Sequence, residues 1–212
     1  MIVIHHRRNT LAELSETLPQ HGAEIDLRNH GNDILVTHDP FITDAVRLQD
    51  WLAQYRHRFL IANVKEEGLE PRLTAMLAEH GVEDFFILDE SFPFIRKYAL
   101  EGLSKFAVRV SEFESIETAL RLADHLRVQG RSIDWIWADS FTGQPLPAED
   151  AAALRAAGYR ICLVSPELHH VNDPSSWEGR VMHHIDALKQ PGMEASIPDM
   201  VCTKCPHLWE QL

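Results

Sequence analysis

Short apolar runs alternate with amphipathic stretches along the whole chain, so the hydrophobic period switches repeatedly between that of a strand and that of a helix. The runs predict strands at about 2–6, 23–28, 34–38, 59–65, 84–90, 105–110, 134–139, 160–165 and 200–204. Helical spacing predicts helices at about 43–55, 69–80, 93–101, 114–129, 148–157 and 175–189, several of which stop at Gly81, Gly102, Gly130 or Gly158. The segment NHGND (29–33) is a turn, so 23–38 is a hairpin and not a crossover. Counting the hairpin once leaves eight strand positions in 212 residues, about 26 residues each. This predicts an α/β fold of the compact TIM (β/α)8 barrel class, with 1–212 as a single domain. A doubly wound open sheet is the alternative, but neither GxGxxG nor GxxxxGK[ST] marks a switch-point loop.

The charge balance narrows the classes of partner. Asp and Glu number 32 against 20 Lys and Arg, a formal charge of −12, and no basic run is present. That balance argues against a nucleic-acid binder and against electrostatic membrane binding. No run approaches the roughly 18 apolar residues of a membrane span, and the opening MIVIHHRRNT lacks the apolar core of a signal peptide. Three Cys suit a reducing compartment, so a cytoplasmic location is the expectation. Cys202-x-x-Cys205 is a lone pair whose side chains on a strand face opposite ways, and it reads as two reduced thiols.

In a barrel, function gathers at the C-terminal ends of the strands. The first strand ends in His5, His6, Arg7 and Arg8; the second carries Glu24 and Asp26, whose spacing of two puts both carboxylates on one face. Its hairpin partner ends in His38-Asp39, and the next strand in Asn63 and Lys65. Later strands end in Asp89-Glu90-Ser91, Arg109, Asp139, Ser165 and Lys204. Adjacent carboxylates repel unless a cation or a shared proton intervenes, and an oxygen ligand set suits Mg²⁺ or Ca²⁺. Two His supply an acid and a base near neutral pH, and Arg7 and Lys65 can hold an anion. Together these groups describe phosphodiester cleavage better than acyl or hydride transfer.

The order of motifs resembles the glycerophosphodiester phosphodiesterase family. The matching text is HRRNTLAEL (6–14), GAEIDL (22–27), ILVTHDP (34–40) and ANVK (62–65), with looser matches at ILDESF (87–92) and CTKCP (202–206). The resemblance implies a TIM barrel that hydrolyses a phosphodiester to an alcohol and a glycerol phosphate. By that resemblance His6 and His38 are the catalytic acid and base. Arg7 and Lys65 contact the phosphate, and Glu24 and Asp26, with Asn63 in the third place, hold the divalent cation. Arg109 and Lys204, at later strand ends, are further candidate substrate contacts. The expected substrate is a small-molecule, glycan-linked or lipid-linked phosphodiester.

Several positions depart from the family pattern. The Gly after His-Arg is Arg8, the third carboxylate is Asn63, the late Trp-Thr is Leu163-Val164-Ser165, and the Asp of the last motif is Lys204. A neutral amide oxygen still ligates a hard cation but removes a charge. These departures leave a second reading open: a catalytically impaired barrel that binds a phosphorylated ligand or a protein partner, with Glu24 and Asp26 tied to Arg7 and Lys65 as a buried ion network. His5 should face away from His6 and pack, although a register with His5 catalytic stays open. The doublets His169-His170 and His183-His184 are expected on solvated faces.

Overall fold

A computed structural model describes residues 1–212. The chain divides into two compact units, Ile4–Ile95 and Met1–Val3 with Arg96–Leu212. In order, the first part of the chain contains β1 (Ile2–His5), α1 (Leu11–Glu16), β2 (Gly22–His30), β3 (Asp33–Val36), α2 (Leu48–Leu52), β4 (Leu60–Val64), α3 (Glu70–Glu79), β5 (Phe85–Leu88) and α4 (Phe92–Glu101). There follow β6 (Ala107–Val110), α5 (Ile116–Val128), β7 (Trp135–Ala138), α6 (Ala148–Ala156), β8 (Arg160–Val164), α7 (Trp177–Leu188), β9 (Met200–Thr203) and α8 (Pro206–Trp209).

The strand order is β5-β4-β2-β1-β9-β8-β7-β6, with β3 joined to β2 as an antiparallel hairpin. The pairs β1–β2, β2–β4, β4–β5, β6–β7, β7–β8 and β8–β9 are parallel. With the hairpin counted once, sequential strands are neighbours except β5 and β6, which end the order, and the first strand lies beside the last. That is the TIM (β/α)8 order; an open doubly wound sheet would reverse direction at a switch point. Strands such as LIANV and FFIL are buried along their whole length, as expected where side chains are covered on both faces.

All nine predicted strands are present within one or two residues of the expected ends. The helix expected at 43–55 is shortened to α2, because the chain before it is used otherwise. Val46 O accepts the Val36 amide at 2.8 Å, and Leu35 forms an antiparallel bridge with Arg47. Helical spacing in the sequence was thus outcompeted by hydrogen bonding to the edge of β3. Conversely, α1 was not predicted although it carries a capping box: Thr10 Oγ1 accepts from the Glu13 amide at 3.2 Å and Glu13 Oε2 accepts from the Thr10 amide at 2.9 Å.

Within the Arg96–Leu212 unit, Val181, His184, Ile185 and Leu188 form the buried stripe of α7 at helical spacing. Val181, Ile185 and Leu188 pack in one cluster with Leu163, Val201, Leu208 and Trp209. Cys162, Cys202 and Cys205 are buried and in no disulfide, as predicted for the last pair. No helix is long and apolar enough to cross a membrane.

Gly22, at the start of β2, lies where neighbouring chain approaches closely. An added Cβ there would lie 2.2 Å from Ile4 Cδ1 and 2.5 Å from Phe59 O. The Phe59 carbonyl is held in place because it also accepts the Ala23 amide at 3.0 Å. Gly22→Ala should therefore destabilise the fold by about 1–3 kcal/mol through overpacking. Denaturant unfolding of the two proteins checks this, and equal midpoints would refute the close-approach account.

Candidate active site

Glu24 and Asp26 point to one face of β2 and are 1% and 0% exposed. Burial, followed by the neighbouring Asp26 charge, pushes the Glu24 carboxyl up to about 7; the Arg7 amide, the Asn63 amide group and Lys65 oppose the rise. Each carboxylate is surrounded by donors from neighbouring strand ends. Arg7 adopts a left-handed backbone, φ +53°, and its amide donates to Glu24 Oε2 at 2.7 Å. Its guanidinium Nε lies 3.6 Å from Asp26 Oδ2.

Parallel pairing of β2 with β4 places Asn63 directly beside Asp26. Asn63 Nδ2 donates to Glu24 Oε1 at 3.0 Å, while its Oδ1 accepts from Lys65 Nζ at 2.8 Å. The same ammonium is 3.0 Å from Asp26 Oδ1 and 3.6 Å from Asp89 Oδ2. Asn9 completes the shell: its Nδ2 donates to Asp26 Oδ2 and its Oδ1 accepts the Asp26 amide, both at 2.9 Å. Asn9 and Asp89 were not chosen from the sequence. Asp89 stood there as a strand-end acid, whereas Asn9 is 17 residues from its partner and gives no local signal.

His6 Nε2 approaches Glu24 Oε2 at 3.9 Å. His38 is on the segment after β3 with 42% of its side chain exposed, and its Nδ1 is 2.9 Å from Asp39 Oδ1. The hydrogen bond to His38 holds the Asp39 carboxyl below its ordinary range. That contact engages one of the two imidazole nitrogens, Nδ1. His38 lines a cleft of about 440 Å³ together with Arg7, Asn9, Thr10, Asp39 and Asp44. Arg7 therefore belongs both to the carboxylate cluster and to the cleft of His38. His5 faces the other way, as expected, and its Nε2 is 2.9 Å from His21 Nδ1 in a buried pair.

No group of three or more His, Cys, Asp or Glu side chains converges as a ready metal centre. Two carboxylates and one amide oxygen nevertheless suit Mg²⁺, which is commonly held by one or two carboxylates with water and substrate phosphate filling its remaining positions. Asp26 Oδ1 and Asn63 Oδ1 already meet at a positive charge, the Lys65 ammonium. The donors present thus fit a hard cation in kind.

Arg109 and Lys204 belong to the Arg96–Leu212 unit, where each has its own setting. Arg109, on β6, donates through Nη1 to Asp139 Oδ2 at the end of β7. Asp139 is 8% exposed and its other oxygen lies 2.6 Å from His169 Nε2. The Lys204 amide donates to the buried Glu167 at 2.8 Å, and its ammonium lies 5.7 Å from the centre of the Trp177 ring. Two expectations fail in this unit. His169 is held by Asp139 rather than merely solvated, and His184 is buried with Nδ1 2.8 Å from Gly143 O. The Asp139 hydrogen bond raises the His169 pKa against the opposing effect of burial. A raised folded-state pKa stabilises below the unfolded value of about 6.5 and the benefit is lost as pH climbs through the folded value. His169→Gln should accordingly reduce the melting temperature more at about pH 6 than at about pH 9; parallel melting profiles across that range would count against the pair.

Neither a protein-family model nor a curated protein matches the chain by sequence. Solved structures do match by fold. A glycerophosphodiester phosphodiesterase from Thermotoga maritima is 15% identical, with 99% of this chain and 97% of that one covered at a TM-score of 0.69. One from Agrobacterium tumefaciens is 15% identical over 99% of both chains, TM-score 0.63. A glycerophosphoryl diester phosphodiesterase from Parabacteroides distasonis is 12% identical over 99% of this chain and 85% of that one, TM-score 0.63. The chain has the fold of the glycerophosphodiester phosphodiesterases, at a sequence distance that leaves its own chemistry to the residues described above.

Proposed function

We propose that this protein is a metal-dependent phosphodiesterase that cleaves a glycerophosphodiester or a related small-molecule, glycan-linked or lipid-linked phosphodiester. The observation that carries the reading is Arg7, which joins the buried Glu24–Asp26 pair to the open cleft of His38. In this reading Glu24, Asp26 and the Asn63 oxygen hold Mg²⁺ or Ca²⁺. When bound, the cation withdraws charge from the phosphoryl oxygens. Arg7 and Lys65 neutralise the remaining phosphate charge. His6 takes the proton of the attacking substrate hydroxyl, and His38, oriented by Asp39, gives a proton to the departing alcohol oxygen. Exchange of these roles would let water open the resulting cyclic phosphate, so that both His end in their starting states.

One observation favours a second reading. The Asn63 amide donates to Glu24, and Lys65 binds both Asn63 and Asp26, so the network is closed by the chain's own groups. A catalytically impaired barrel that binds a phosphorylated ligand or a protein partner would look the same.

A panel of glycerophosphodiesters supplied with Mg²⁺ or Ca²⁺ distinguishes the two. Under the first reading turnover is abolished by a chelator, and His38→Ala or His6→Ala lowers kcat by about 10²–10⁴-fold, the usual contribution of a positioned acid or base. Asp26→Asn should weaken the activating effect of the cation at least about tenfold, given the usual role of carboxylate ligands. Calorimetric binding of a phosphate ester with no turnover by the wild type would instead establish the second.

A further inference from the structure

Glu70 and Glu90 take no part in the site above. Glu70 is the first residue of α3 and fully buried; Glu90 lies just beyond β5 and is 7% exposed. The Glu70 carboxyl is a close neighbour of the Glu90 carboxyl and raises its pKa. Glu90 Oε1 accepts the Ser91 amide at 3.0 Å. Four buried oxygens then remain without a hydrogen-bond partner: Glu70 Oε1, Glu70 Oε2, Glu90 Oε2 and Ser91 Oγ. A buried carboxylate oxygen without a donor is costly, and two such groups side by side repel.

We infer that Glu70, Glu90 and Ser91 form a second site for a hard divalent cation, of the Ca²⁺ type, distinct from the Glu24–Asp26 cluster. One shared proton would join two of the three orphan carboxyl oxygens and leave the third, with the Ser91 hydroxyl, unsatisfied. A hard cation, with six to eight coordination positions, can take oxygens from both carboxylates and fill the rest with water. The donors are all oxygen, which selects a hard cation over a thiophilic or imidazole-bound one. Mg²⁺ gives up its water reluctantly, whereas Ca²⁺ accepts carboxylates mono- or bidentately in irregular geometry, which suits a buried pair. Glu90 and Ser91 line a cleft of about 350 Å³ together with Lys65, Glu66, Glu67 and Asp89. Its charges are predominantly negative, and Lys65 is already engaged with Asp26, Asn63 and Asp89. Burial first, and then the neighbouring Glu70 carboxyl, push the Glu90 carboxyl up to about 9, the response of a pair without a counter-ion.

The test is a CaCl₂ titration of the whole chain by calorimetry, with thermal unfolding alongside. The wild type should bind one Ca²⁺ per chain that Glu70→Gln/Glu90→Gln does not, with affinity at this site lowered at least about tenfold by the loss of both charged ligands. Without calcium the double variant should melt no lower than the wild type, because the crowded buried carboxyl pair is gone. Asp26→Asn should leave this binding event in place, which separates it from the proposed catalytic cation. If the double variant does not fold, Glu90→Gln alone carries the comparison. Equal stoichiometry and equal calcium-induced melting shifts in wild type and variant, or loss of all binding on Asp26→Asn alone, would overturn the site. Phosphodiester turnover bears on the catalytic reading only, so either proposal can fail without the other.

Discussion

The buried Glu24–Asp26 pair is the constraint around which the Ile4–Ile95 unit arranges its polar groups. Two carboxylates at 1% and 0% exposure on one face of β2 cannot stand unpaired, because desolvation and mutual repulsion act in the same direction. The surrounding sequence supplies the answer in pieces. Arg7 turns its backbone into the left-handed region to deliver an amide, Asn9 makes a two-way amide contact, and Asn63 and Lys65 arrive from the adjacent parallel strand. Both cationic side chains, Arg7 and Lys65, meet Asp26, while Glu24 is met by the Arg7 and Asn63 amides. Loss of one partner from such a buried network typically costs about 3–5 kcal/mol, so the residues proposed for chemistry also hold this part of the fold in place.

A similar device occurs in the Arg96–Leu212 unit. Asp139 is buried at the end of β7 and holds two basic side chains, Arg109 and His169, one through each oxygen. Glu167 does comparable work with neutral donors, accepting from the hydroxyls of Ser165 and Thr203 and from the Lys204 amide. In both units a buried acid at or beside a strand end orients donors from neighbouring strands. Glu70 and Glu90 depart from this pattern, since no side-chain donor from the protein reaches their orphan oxygens.

The strands were legible because each is a short continuous apolar run between polar or Gly-bearing segments, and the barrel class followed from their number and alternation. The cluster was legible too: Glu24 and Asp26 share a face by the period of a strand, and Asn63 and Lys65 repeat that spacing on the next. Helix spacing at 43–47 misled because propensity is weak against two hydrogen-bonded contacts with β3. His169 was misjudged for a different reason. Its partner, Asp139, lies 30 residues away, and nothing in the local pattern distinguishes a solvated histidine from one seated on a buried acid.

By itself, the sequence determined the class of fold and the residue types at each strand end, since both are fixed by hydrophobic period and by local spacing. Only the tertiary structure decided which ends meet and what each atom faces. It set the Asn63 amide with its nitrogen on Glu24 and its oxygen on Lys65, turned His38 onto Asp39, and brought Glu70 against Glu90 across 20 residues of chain. The physical reason is one of range. Periodicity acts between residues a few positions apart, whereas desolvation and charge pairing act between whatever groups the register of parallel strands brings within a few ångströms.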